Sequence, residues 1–107
     1  MTREDQILED LRELSLRATF ERESKGGLSV HFLLEWVDQR ILVMDDLYDL
    51  TDPFWKKYKD ILEKNASYAW QGVGVLLSDS EPEVNQYAER ALGKLSRDLL
   101  KLAETHL

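Results

Sequence analysis

The chain has 107 residues, 43% hydrophobic and 33% charged, and its 21 acids against 14 bases give a net charge of −7. That length and balance predict one soluble domain, residues 1–107, with its own core, and exclude a disordered or membrane-spanning chain. The absence of cysteine removes disulfides, thiolate nucleophiles and thiolate metal sites, while the acidic excess repels nucleic acid and anionic lipid surfaces.

The N-terminal stretch interleaves charged and apolar residues without a continuous hydrophobic run, so no leader is expected and the predicted location is the cytoplasm. Thr2 and Asp5 have the spacing of a capping box and open a first helix over residues 3–22. Ile7, Leu11, Leu14 and Ala18 form its apolar stripe; Leu16 and Phe20 lie off that stripe, one turn apart. Ser24-Lys25-Gly26-Gly27 is read as the flexible stop, and Ser29 as the cap of the next helix.

The second helix, residues 30–50, is the most informative segment. Val30, Leu33, Leu34, Val37, Ile41, Met44 and Tyr48 gather on one side. Phe32, Trp36, Val43, Leu47 and Leu50 widen that side to an arc of about 200°. The remaining face carries His31, Glu35, Asp38, Asp45, Asp46 and Asp49, broken by Leu42, and Asp52 continues the acidic run. Such an arc predicts a central helix buried against several neighbours. Its edge residues Trp36 and Leu47 belong either to the core or to a second apolar patch, with burial favoured for Trp36.

Asp52 as N-cap and Pro53 at the first helical position start a third helix over residues 53–77. Its stripe of Phe54, Trp55, Tyr58, Ile61, Leu62, Ala69, Val73 and Leu76 stays in phase through Asn65 and Gly72, so one helix is expected, with Gly72 as a close-packing point. Ser80, Pro82 and Glu83 signal a fourth helix over residues 81–106, built on Val84, Ala88, Ala91, Leu92, Leu95, Leu99 and Leu102. Four similar lengths joined by short loops predict an all-α, antiparallel up-down-up-down four-helix bundle.

Chemistry is sparse. His31, Glu35, Asp38 and Asp45 share a face, and Glu35-x-x-Asp38 matches half of the paired-carboxylate pattern by which helical nucleotide pyrophosphatases hold magnesium. No Glu-x-x-His accompanies it, and this face points away from the apolar arc, so a solvated face is the expectation. No nucleophilic constellation is visible in sequence, and His106 reads as a terminal residue at the negative end of a helix. Arg40 is expected to pair with an acid at the edge of the bundle, and Asn65 to make a buried hydrogen bond that fixes register. Lys56, Lys57, Lys59 and Lys64 give the third helix a basic outer face, which makes the molecule dipolar.

The functional expectation is a non-enzymatic module without catalytic, metal or cofactor residues. It docks Glu35, Asp38, Asp45, Asp46, Asp49 and Asp52, with Trp36 and Leu47, on a basic protein surface such as that of a nucleic-acid-processing enzyme. By analogy of build this is the manner of immunity proteins, antitoxins and phage anti-defence inhibitors. The alternatives are a homodimer or larger assembly joined through the arc of the second helix, and a metal-dependent helical enzyme using Glu35 and Asp38.

Overall fold

A computed structural model describes residues 2–76 and 81–105, with side chains described for 2–71 and 86–105. These residues form four helices: α1 (Arg3–Lys25), α2 (Val30–Leu47), α3 (Pro53–Leu76) and α4 (Glu81–Glu104). Among the described residues there is no strand, and no helix is long and apolar enough to cross a membrane.

Local chemistry sets the ends of α1. The Thr2 hydroxyl accepts the Asp5 amide at 3.1 Å and the Asp5 carboxylate accepts the Thr2 amide at 3.3 Å, which completes the capping box. The helix runs three residues past the expected stop at Arg22. Ser24 and Lys25 present no barrier to a helix: the Ser24 hydroxyl bonds the Phe20 carbonyl at 2.7 Å, and Lys25 pairs with Glu21 one turn back. The stop is Gly26, whose φ of 76° is left-handed and whose amide donates to the Arg22 carbonyl.

The Ser29 hydroxyl caps α2 by accepting the Phe32 amide at 3.0 Å. The other end corrects the expected boundary, because α2 stops at Leu47 and Tyr48 is extended. Asp49 is the cause. Its Oδ1 accepts both the Thr51 amide at 2.9 Å and the Thr51 hydroxyl at 2.6 Å, a local turn that competes with further helix. Tyr48, now free of the helix, stacks on Trp55 with ring centroids 4.1 Å apart. Asp52 then caps α3 as expected, its Oδ1 accepting the Phe54 amide at 2.9 Å. Helix α3 is continuous through Gly72, also as expected. The roles read for Ser80 and His106, and the packing at Gly72, lie outside the described residues and side chains.

Ile7, Leu14 and Ala18 of α1, Leu33, Val37 and Met44 of α2, Tyr58 and Leu62 of α3, and Leu95 and Leu99 of α4 are almost wholly buried together. The axes are not evenly spaced. Helices α3 and α4 form the most extensive pairing, and α2 lies against both of them. Helix α1 packs chiefly on α4, and its backbone stays apart from that of α2. Side chains bridge the gap instead: Arg40 of α2 reaches Asp10 of α1 at 2.9 Å, and Arg17 reaches Gln39 at 3.5 Å. The breadth of the apolar arc on α2 is therefore met mainly by α3 and α4, with α1 reached through side chains.

Candidate functional site

On α2, residues 35, 38, 42 and 46 fall on successive turns of one face. Glu35, Asp38 and Asp46 are exposed there and have no cationic partner among the described residues. Leu42 stands between them, 65% exposed. His31 extends the stripe toward the helix start and is also exposed.

The other predicted acids are committed elsewhere. Asp45 lies on the side toward α3, where the Lys59 ammonium stands 3.3 Å away. Asp49 sits in the turn after α2 rather than on its face, and the hydroxyl and amide of Thr51 hold its carboxyl below the usual range. Asp52 caps α3 and forms an ion pair with Arg3, whose guanidinium also covers the Phe54 ring at 5.3 Å. The expected six-acid stripe thus reduces to three open carboxylates around one leucine, because Lys59 engages Asp45 while turn formation and capping use up Asp49 and Asp52.

The two apolar edge residues separate. Leu47, the last residue of α2, is 71% exposed. Trp36 is 2% exposed, which corrects its placement among directly docking residues: it packs in the core beneath the Arg40 guanidinium, 5.8 Å from its ring centroid. Trp36 also floors a groove of about 370 Å³ between α1 and α2. Leu16, Arg17, Phe20 and Glu21 line the α1 side, and Phe32 and Glu35 the α2 side. The groove exists because α1 and α2 are held apart while Leu16 and Phe20, 67% and 68% exposed, project from the outer side of α1. The apolar surplus is real and is divided between the two helices, Leu16 and Phe20 on α1 and Leu42 and Leu47 on α2.

A buried polar cluster lies behind this groove. Asp10 is 3% exposed and accepts three hydrogen bonds, from Tyr58 at 2.6 Å, Arg40 at 2.9 Å and Gln6 at 3.0 Å. Burial raises the Asp10 carboxyl above its ordinary value against the opposing pull of the Tyr58 hydroxyl and the Arg40 charge. The expected acid partner of Arg40 is therefore Asp10, with Glu13 further off at 3.8 Å. The sequence signal for Asp10 was its position, three residues after Ile7 and four before Leu14, on the core side of α1. Asn65 behaves as expected: wholly buried, it donates to the Ile61 carbonyl at 2.9 Å and to Asp98 of α4 at 3.3 Å.

The basic side of the molecule is a cleft of about 420 Å³ between α3 and α4, where Lys57, Lys64 and Lys101 surround Ile61 and Leu102 alongside Asp60 and Asp98. Lys59 is not part of it, being turned to Asp45. Among the described residues, no three of His, Asp and Glu converge in a way that could hold a metal ion. No protein-family model matches the chain, and neither a curated protein nor a solved structure matches it.

Proposed function

We propose that this chain is a cytoplasmic, non-enzymatic protein-binding module that docks the Glu35–Asp38–Leu42–Asp46 face of α2 on a basic protein surface. The observation that carries this reading is three unpaired carboxylates grouped around a largely exposed leucine. Like charges along one helix face repel each other at some cost to the helix, and a cationic partner relieves that cost. Leu42 supplies the apolar contact that charge alone does not, since interface cores exclude charged groups and rims carry them. Carboxylates spaced along a helix suit a surface that otherwise holds phosphates. The occupant favoured is therefore a nucleic-acid-processing enzyme, and the chain its inhibitor.

An up-down-up-down bundle is the scaffold inferred for this face. Arg22 near the end of α1 meets Glu89 near the start of α4 at 2.7 Å, Asp45 near the end of α2 meets Lys59 in the second turn of α3 at 3.3 Å, and the ring of Tyr68 late in α3 lies 5.9 Å from that of Tyr87 early in α4. Each pair supports antiparallel neighbours.

Affinity capture from cell extract by the wild type and by the Glu35→Lys, Asp38→Lys, Asp46→Lys triple variant tests the reading. Circular dichroism should be unchanged, because all three side chains are exposed. The wild type should retain basic proteins at low salt and release them at high salt, and the triple variant should retain none of them. Equal retention by both proteins would reduce the stripe to a solvated face.

A further inference from the structure

We propose that α1 carries a second interface, next to the α2 stripe and meeting it only at Glu35, through which two copies of this chain pair about a two-fold axis with their α1 helices antiparallel. Leu16 and Phe20 are exposed on the side of α1 opposite Ile7, Leu14 and Ala18. By the helical period, Arg12 and Glu23 flank them, and all four fall within about 80° of the helix surface. Arg12 and Glu23 are exposed and have no partner among the described residues.

The order of these four residues is what selects the occupant. Leu16 and Phe20 are centred on Ala18; Arg12 and Glu23 are centred between Arg17 and Ala18. An antiparallel pairing about that common centre sets Leu16 against Phe20 of the second copy and Arg12 against Glu23 of the second copy, each contact occurring twice, as an isologous interface requires. Apolar meets apolar and cation meets anion in a single register.

Most neighbouring polar groups are engaged within the chain, and Glu9, exposed on the same face, falls opposite Gly27 of the second copy in this register, where it meets no charge. The Thr19 hydroxyl donates to the Ser15 carbonyl at 3.0 Å and the Ser24 hydroxyl to the Phe20 carbonyl at 2.7 Å, both within α1. Glu13 is held by Arg17 at 3.5 Å and approached by Arg40 at 3.8 Å, and Arg22 is held by Glu89. The Phe20 ring of the second copy, placed over Leu16, stands at the mouth of the groove floored by Trp36, which has room for apolar side chains. A patch this narrow on a chain of net charge −7 gives a weak, concentration-dependent dimer.

Sedimentation equilibrium over a concentration series, with Arg12→Glu, Glu23→Arg and the double variant, tests the register. Each single reversal creates two like-charge contacts and should weaken association by about tenfold, while the double variant should regain wild-type association. Phe20→Ser should stay helical and monomeric, and the Asp46→Lys variant should dimerise like the wild type. A wild type that is monomeric at millimolar concentration would overturn the proposal. So would a folded double variant that associates no better than the single ones, since that removes the Arg12–Glu23 register. Neither result bears on capture by the α2 face, which is read in a separate measurement.

Discussion

The Tyr58 hydroxyl of α3 donates to the buried Asp10 carboxylate of α1 across 2.6 Å, and joins two helices whose backbones barely approach. With Arg40 of α2 on the other oxygen of the same carboxylate, one acid ties three helices together. A buried carboxylate is costly to bring out of water, so each donor it keeps matters more than an exposed one would.

Tyr58→Phe should therefore destabilise the protein by about 1–3 kcal/mol, the cost of leaving a buried acceptor short of one partner. The ring remains, so packing is nearly conserved. In a double-mutant cycle with Asp10→Asn, the loss from Tyr58→Phe should shrink, because the charge that made the bond strong is gone. Urea unfolding of the four proteins measures this, and strict additivity would show that the two groups are not coupled.

Acid should act on this cluster in an unusual direction. Burial raises the folded Asp10 carboxyl above the ordinary carboxylate range of the unfolded chain, and the Tyr58 hydrogen bond and Arg40 charge only partly offset that rise. Between the unfolded and the raised folded values, the native state holds a proton that the unfolded chain releases. Stability from this group therefore increases as pH falls through that window, and the full cost of the buried charge applies above it. Wild-type stability relative to Asp10→Asn should rise as pH is lowered from neutral toward 4. A relative loss on acidification would mean that pairing, not burial, dominates at Asp10.

Helix order, type and most starts were legible in the sequence because caps and apolar periodicity are local signals. Thr2, Ser29 and Asp52 cap their helices with the atoms their positions predict. The end of α2 was not legible in the same way. Tyr48 continues the centre of the apolar stripe and Leu50 its far edge, but the Asp49–Thr51 turn outcompetes the pattern. The acidic face was overcounted for the same reason, since a count of carboxylates does not reveal which ones a turn, a cap or Lys59 has already engaged. Asp10 was missed because a single acid within an apolar stripe becomes informative only when its donors, on two other helices, are known. The α1 surplus at Leu16 and Phe20 was visible as a departure from the stripe; the groove beside it depends on helix spacing, which no local pattern encodes.

Trp36 and Leu47 lie on the same side of α2 yet should answer substitution in opposite ways. Trp36 is enclosed by the core and covered by Arg40, so Trp36→Ala removes a large buried side chain and a cation–π contact together. A loss of about 3–5 kcal/mol in urea unfolding is expected, as for other buried aromatic truncations. Leu47 ends its helix in solvent, so Leu47→Glu should shift stability by no more than about 0.5 kcal/mol. A large loss at Leu47 would mean that a neighbour covers it in solution, and the outer edge of α2 would then join the interfaces to be mapped. A small loss at Trp36 would mean that the α1–α2 groove collapses readily around the missing ring, because only relaxation of the walls can lower the cost of a cavity that size. Uptake of a small apolar probe such as benzene checks the collapse: a groove that has closed over the missing ring takes up none, whereas rigid walls leave an apolar space beside Phe20 and Phe32 that does.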